Sequence, residues 1–388
     1  MLFRSSQLDA LRAEIDGIDA RLTSLFLQRM EVTERVGRWK QANGVSVLDA
    51  AREREVLAKK AALTDDPARK DDVTALYEAI MGISRRQQRK LLTEAGNGDY
   101  QRICAALRTA RAPLEHPRVL YQGEPGAYSD EAAGRFFGEA AHRSHLATWE
   151  AVFQALKEGK ADYGVLPIEN SSTGSISQVY DLLAQYGAYI VGEQTVKVDH
   201  CLAAPAGAAL DGITAVYSHE QGLLQCADFL KGRDWARVPR LNTAESAQFV
   251  SKSGQPGQAA ICSPHAARLY GLEILAQHIN TNDRNYTRFV IVSPVPEHRP
   301  GSDKVSALFT LPHRTGSLHQ LMTIFAVNGL NLMKLESRPI VGRSWEYLFF
   351  ADFAADLAAP GMDGVLLELT QTAEGFRVLG NYPACKEG

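Results

Sequence analysis

Four short stretches carry side chains able to do chemistry at places where an apolar run stops. They are Gly123-Glu124-Pro125-Gly126-Ala127-Tyr128-Ser129, the run from Glu169 and Asn170 through Ser175, Ser218-His219-Glu220-Gln221, and Asn285-Tyr286-Thr287-Arg288-Phe289. In each, hydroxyls, amides or charged groups lie where a strand-like run meets a turn or a helix-like run. Backbone N–H groups at such junctions point at anions, and nearby hydroxyls and guanidinium groups add donors. One such cluster would be read as helix capping. Four, holding Glu, Asn, His, Gln, Thr and Arg between them, point to a shared anion site. A different signal lies near the start. Apolar residues at Leu8, Leu11, Ile15, Ile18, Leu22, Leu25, Val32 and Val36 alternate three and four apart, and Arg29 occupies the seam slot where a leucine belongs. A seam arginine needs an anionic partner, because an unpaired buried charge is costly. Lys40 lies about 20° from Arg29 around an ideal helix and shares its face; Arg12 lies about 100° away and suits a site on a neighbouring chain.

The elements that must position these groups follow from periodicity. The first ~90 residues read as three helices. The first is the long seam helix, the second follows Gly44 with Asp49, Arg52 and Glu53, and the third, about 71–92, carries Ser84 and Gln88 one turn apart on one face. Three such helices make a poor core by themselves, so pairing with a second copy is expected. Residues 93–116 read as a linker. From 117 to 297 strand-like and helix-like runs alternate, which predicts two α/β lobes with parallel sheets. AYIVGEQTVKVDHCLAAP reads as one long strand crossing between them. Residues 303–388 follow a βαββαβ, ferredoxin-like order.

Composition removes several classes. The chain has 388 residues, 45% hydrophobic and 22% charged, with a net charge of −3. Nothing global points to nucleic acid, and no apolar run approaches the ~18 residues of a membrane helix. Five cysteines (104, 201, 226, 262 and 385) are scattered without a CxxC pair, so neither a disulfide framework nor a zinc site is indicated. HExxH, GxGxxG and GxxxxGK[ST] are absent. The first residues, MLFRSSQLDALRAEID, carry charge too early for a secretory segment; a reducing cytoplasm is expected.

LDALRAEIDGIDARLTSLFLQRMEVTERVGRWK followed by LDAAREREVL resembles the all-helical chorismate mutase domain. The resemblance implies an intertwined dimer in which arginines matching Arg12 and Arg29, one from each chain, bind the substrate carboxylates. It puts Lys40 and Gln88 at the ether oxygen and Asp49, Arg52, Glu53 and Ser84 at the remaining pocket positions. Nearly all of 117–296 resembles prephenate dehydratase. NYTRFVIV carries its Thr-Arg-Phe motif at Thr287, Arg288 and Phe289, with the threonine essential. IENSSTGSISQVYDLL supplies Glu169 and Asn170, and SHEQGLLQC supplies Ser218, His219, Gln221 and Gln225, with Glu220 where proline is common. The tail resembles an ACT domain. Gly316-Ser317-Leu318, with serine for alanine, and Glu336-Ser337-Arg338-Pro339, with Asn331 nearby, match the segments that bind phenylalanine between paired ACT domains.

The resemblance therefore implies a multidomain, bifunctional enzyme. Residues 1–92 would be the mutase, 93–116 a linker, 117–297 the dehydratase and 303–388 the ACT regulator. Chorismate and prephenate are the implied substrates, L-phenylalanine the effector, and a homodimer, or a tetramer built from it, the assembly. Neither step calls for a metal, coenzyme or covalent adduct. Two rival readings stand beside it: an arogenate-preferring dehydratase, and a non-catalytic two-lobed ligand sensor.

Overall fold

The computed structural model describes residues 2–43, 50–92, 97–340, 342 and 345–385. Asp49 lies outside them. The chain divides into two compact units, Met1–Gln101 with Pro360–Ala373, and Arg102–Ala359 with Glu374–Gly388.

In the first unit, α1 (Leu2–Ala42), α2 (Ala50–Ala61) and α3 (Pro67–Leu92) are the three expected helices. The third starts earlier than its periodicity indicates, because Pro67 suits a first helical turn and the Asp66 carboxylate accepts from the Ala68 N–H (3.0 Å). Its faces meet α1 through Met30, Thr33, Ser84 and Gln88, all buried. The apolar seam of α1 stays open. Leu8, Leu11, Ile15, Ile18, Leu22, Leu25, Val32 and Val36 are 41–62% exposed.

The linker is not featureless: half of it forms α4 (Gly98–Arg108), which buries Ile103. Asn97 starts that helix by accepting from the Tyr100 N–H (3.0 Å).

The second unit holds the two lobes. In the first lobe, β1 (Arg118–Gln122), α5 (Tyr128–Phe137), β2 (His142–Leu146), α6 (Trp149–Lys157), β3 (Tyr163–Asn170), β4 (Gly174–Ser175), α7 (Ser177–Tyr186) and β5 (Tyr189–Lys197) succeed one another. The chain then crosses to the second lobe: β6 (Cys201–Ala204), β7 (Ala215–Ser218), α8 (Glu220–Gln225), α9 (Ala227–Leu230), β8 (Ala236–Pro239), α10 (Thr243–Ser253), β9 (Gln258–Cys262), α11 (Pro264–Leu269) and β10 (Glu273–Ala276). It returns as β11 (Tyr286–Ser293).

Two expectations need correction. The long strand is two strands in different sheets. It breaks at residues 198–200, where the His200 N–H turns to the Asn280 side chain (2.6 Å) instead of a ladder partner. The sheets are mixed rather than parallel. The returning β11 inserts between β3 and β5 and runs antiparallel to both, giving the order β2-β1-β3-β11-β5. The second lobe, ordered β10-β6-β9-β7-β8, is antiparallel at the β6 side for the same reason, since the chain enters and leaves there.

The tail forms β12 (Lys304–Thr310), α12 (Ser317–Val327), β13 (Leu332–Pro339), β14 (Tyr347–Ala354), α13 (Met362–Thr372) and β15 (Glu374–Tyr382). The sheet order β13-β14-β12-β15 is that of the expected ferredoxin-like arrangement. This sheet shares a core with the first lobe. Leu308, Phe350, Leu379 and Tyr382 pack among Ile168, Val179, Leu183 and Val290. The approach is close enough that a Cβ at Gly380 would lie 1.8 Å from the Ile190 carbonyl oxygen.

Candidate active sites

Each unit carries one of the two groups of candidate residues. Between α1 and α3, Arg29 donates to the Ser84 hydroxyl (2.5 Å), which in turn donates to the Ile80 carbonyl (2.8 Å). Among the described residues no carboxylate forms an ion pair with Arg29. Its charge is met by a neutral hydroxyl, as it would be in a site that awaits an anion. Gln88 is one turn beyond Ser84 on the same face, buried, with its carbonyl oxygen lacking a partner among the described residues. An orphaned amide oxygen beside a half-buried arginine marks a polar pocket rather than a core.

The remaining positions are less uniform. Glu53 takes a two-pronged contact from Arg85 (2.5 and 2.6 Å), a residue sequence reasoning passed over. Arg52 lies at the surface against Glu55 (2.7 Å), whose carboxyl is held down at about 2 by Lys59 and Arg52. Arg12 is exposed, 3.4 Å from Asp9. Lys40 is half-buried on α1.

In the second unit the strand tips meet. Thr287 on β11 is the register partner of Asn170 on β3, and Arg288 that of Glu169. The Asn170 amide donates to the Thr287 hydroxyl (2.9 Å) and to the Asn285 side-chain Oδ1 (2.8 Å). Its own carbonyl oxygen accepts from the N–H groups of Ser172 and Thr173 (2.9 and 3.1 Å). Asn170, Asn285 and Thr287 are all buried. So the small hydroxyl residues after β3 form a turn wound around the Asn170 side chain. Phe289 points into the first-lobe core.

A path of hydrogen bonds across the crossover leads from Tyr128 of the first stretch to Ser172 of the second. Tyr128 contacts the His200 ring (3.1 Å), and His200 contacts Gln225 (3.0 Å). The Gln225 backbone carbonyl accepts from the Thr281 N–H (2.8 Å), and the adjoining Asn282 donates to Ser172 (3.2 Å), next to the Asn170 turn. His200 is fully buried, and burial lowers its pKa, which favours the neutral imidazole. It sits on the crossover between lobes, and its role, like that of Tyr128, was not legible in sequence. A cavity of about 290 Å³ opens beside the crossovers, lined by Lys197, Val198, Asp199, His278, Asn280 and Asp283.

The other expected groups have structural duties. The Ser218 hydroxyl is buried and donates to the Ile261 carbonyl (2.7 Å), joining β7 to β9. His219 caps α8 by accepting from the Gln221 N–H (3.2 Å), and both residues are exposed. The first stretch also latches the lobes. Ser263 and Tyr270 donate to the carbonyls of Gly126 and Pro125 (3.2 and 2.8 Å). Gly126 adopts φ +88°, which favours glycine, and a Cβ there would lie tightly against the Ala266 Cα at 3.1 Å.

Arg288 does not face the Thr287 side. It contacts Asp352 (2.8 Å), Glu193 (3.1 Å) and Glu169 (3.4 Å). Burial opposes its charge, but Asp352 and Glu193 outweigh that and raise its pKa. Glu169 also meets Lys334 (2.9 Å), so two cations contact its carboxylate. In the tail, Glu336 and Arg338 turn toward Ser175 (2.9 Å) and Asp181 (2.8 Å), while Ser337 and Pro339 are exposed on the opposite face of β13. Gly316, at φ +84°, opens α12; Ser317 is buried with its hydroxyl lacking a partner among the described residues, and Leu318 is exposed. The Ala354 N–H donates to the Asn331 carbonyl (2.9 Å). Among the described residues no cluster of His, Cys, Asp and Glu is arranged to hold a metal ion, and no helix is long and apolar enough to cross a membrane.

Residues 11–89 match the model of chorismate mutase type II, and residues 119–297 that of prephenate dehydratase. The chain is 33% identical over 387 residues to a bifunctional chorismate mutase/prephenate dehydratase of Escherichia coli K12, covering 97% of this chain and 96% of that one. It is 38% identical over 283 residues to arogenate dehydratase/prephenate dehydratase 1 of Arabidopsis thaliana, covering 69% and 72%. A solved prephenate dehydratase from Arthrobacter aurescens, in complex with L-Phe, superposes with a TM-score of 0.62 at 29% identity, over 69% of this chain and 89% of that one. With a mutase match in the helical unit, a dehydratase match over the two lobes and a relative aligned along nearly its whole length, the chain belongs to the family of bifunctional chorismate mutase/prephenate dehydratase enzymes.

Proposed function

We propose that the chain converts chorismate to prephenate in residues 1–92 and prephenate to phenylpyruvate in residues 117–297, with 93–116 joining them and 303–388 acting as an ACT regulator that binds L-phenylalanine. The observation that carries the second step is the Asn170–Thr287 bond at the paired strand tips (2.9 Å). Thr287 accepts there, which leaves its own O–H free to donate to the leaving hydroxyl of prephenate. Decarboxylation supplies the electron pair that expels that hydroxyl as the ring becomes aromatic. A threonine is a weak acid, so its part is to orient and stabilise the departing oxygen while the lobes hold the two carboxylates.

The first step is pericyclic and needs no nucleophile. Arg29 binds one carboxylate, and Lys40 and Gln88 face the ether oxygen, where negative charge grows as the C–O bond stretches. Glu53, Arg52, Ser84 and Asp49 complete the pocket. Arg12 serves the site of a second copy, whose α1 covers the open seam; the assembly is a homodimer.

Feedback follows from differential affinity. Phenylalanine held by Gly316, Ser317, Leu318, Asn331 and the 336–339 segment favours a less active state, and by reciprocity prephenate weakens its binding. The protein works in the cytoplasm. Mixing purified protein with prephenate should give the alkaline ultraviolet absorbance of phenylpyruvate, and added phenylalanine should lower the rate. An absence of phenylpyruvate favours the ligand sensor. The Arabidopsis relative makes arogenate the competing substrate; faster turnover of arogenate side by side overturns the prephenate assignment.

A further inference from the structure

The hairpin that carries Asn170 is gripped from behind by the C-terminal sheet. Alternate side chains of a strand face opposite ways. Asn170 and Thr287 share one side of the β3–β11 pair, and their neighbours Glu169 and Arg288 contact the C-terminal sheet on the other. There Lys334 of β13 holds both legs of the hairpin. Its ammonium lies 2.9 Å from the Glu169 carboxylate and 2.9 Å from the Ser175 hydroxyl, and Glu169 and Ser175 are themselves register partners across β3 and β4. Its position is fixed: the side chain is 16% exposed and lies over the Tyr180 ring, 5.4 Å from the centroid. Arg288 is a weaker tie to Glu169, at 3.4 Å, because Asp352 and Glu193 hold it closer.

We propose that Lys334 is a positioning residue for the dehydratase reaction, keeping the Asn170 hairpin in register with Thr287 through Glu169 and Ser175. The proposal rests on Asn170 and Thr287 forming the dehydratase site. Lys334 never meets the substrate side of the sheet, so its loss changes the placement of the Asn170 amide rather than substrate contacts. A displacement of about 1 Å at a reacting group costs on the order of a hundredfold in rate.

The test is steady-state kinetics of both activities in the full chain, for wild type, Lys334→Met and Lys334→Arg. Methionine keeps the length and the contact with Tyr180 but removes the charge; arginine restores a cation. The expected result is a dehydratase kcat lowered about tenfold or more in Lys334→Met, with KM changed less than about twofold, mutase rate unchanged and most of kcat recovered in Lys334→Arg. A full dehydratase kcat in Lys334→Met overturns the proposal. So does a joint fall of both activities and of the melting temperature in both variants, which marks a residue needed only for folding. If wild type makes no phenylpyruvate from prephenate, the underlying assignment fails instead.

Discussion

Asn170 shows how much a single side chain settles here. Its amide and carbonyl serve two strands and a turn at once, through Asn285, Thr287, Ser172 and Thr173. Sequence reasoning found this residue and Thr287, because both lie at the ends of apolar runs. It also placed Glu169 and Arg288 in the chemistry, and there the inference stopped short. Alternation along a strand says that neighbours face opposite ways, yet nothing in the sequence says that a second sheet waits behind them. Asp352 is part of that sheet's hold on Arg288. Burial pushes its carboxyl up, but Arg288, Lys304 and the Ser306 hydroxyl outweigh burial and keep its pKa below the ordinary value. A lowered folded pKa contributes stability that is complete above the unfolded value, about 3.9, and is lost as pH falls through the folded one. Melting temperatures taken from pH 6 down to 3 should therefore fall less steeply for Asp352→Asn than for wild type, with Asp352→Asn the less stable protein at pH 6. Parallel curves contradict the role given to this pair.

Elements were legible where one periodicity ran long enough. The three N-terminal helices and the βαββαβ order of the tail follow from spacing alone. The direction of β11 did not, because a strand's partners are chosen by tertiary contacts: β11 and β3 are separated by the whole second lobe. Nor did the break between β5 and β6, which depends on Asn280, some eighty residues away. The seam of α1 belongs to this scale. Burying side chains such as Ile18 and Leu22 gives roughly 1.5–3 kcal/mol each when complete, and they are about half exposed here, at 53%. A dimer that covers the seam should dissociate when Ile18→Lys and Leu22→Lys are combined. Light scattering should report the smaller species, and mutase activity should fall with it, since Arg12 would no longer reach a second site. A double variant that keeps the wild-type mass and full mutase rate contradicts the paired-helix model.

Across the whole molecule, the mutase and dehydratase candidate residues fall in different compact units, and the C-terminal sheet shares its core with the dehydratase lobe. That sharing gives the tail a direct hold on the dehydratase strand tips. The division into a seam-arginine group and a strand-end group was readable because both set charge or hydroxyl groups in an apolar frame; the docking of the tail was not, because nothing in the sequence says that Lys334, Glu336 and Arg338 pair with the first lobe. The most direct measurement of the central claim is turnover of chorismate and of prephenate, each assayed separately, by folded Arg29→Ala and Thr287→Ala. The account expects Arg29→Ala to lose mutase activity by about a hundredfold or more while dehydrating prephenate at the wild-type rate, and Thr287→Ala to do the reverse. Loss of both activities in either folded variant, or a near-normal dehydratase rate in Thr287→Ala, contradicts it.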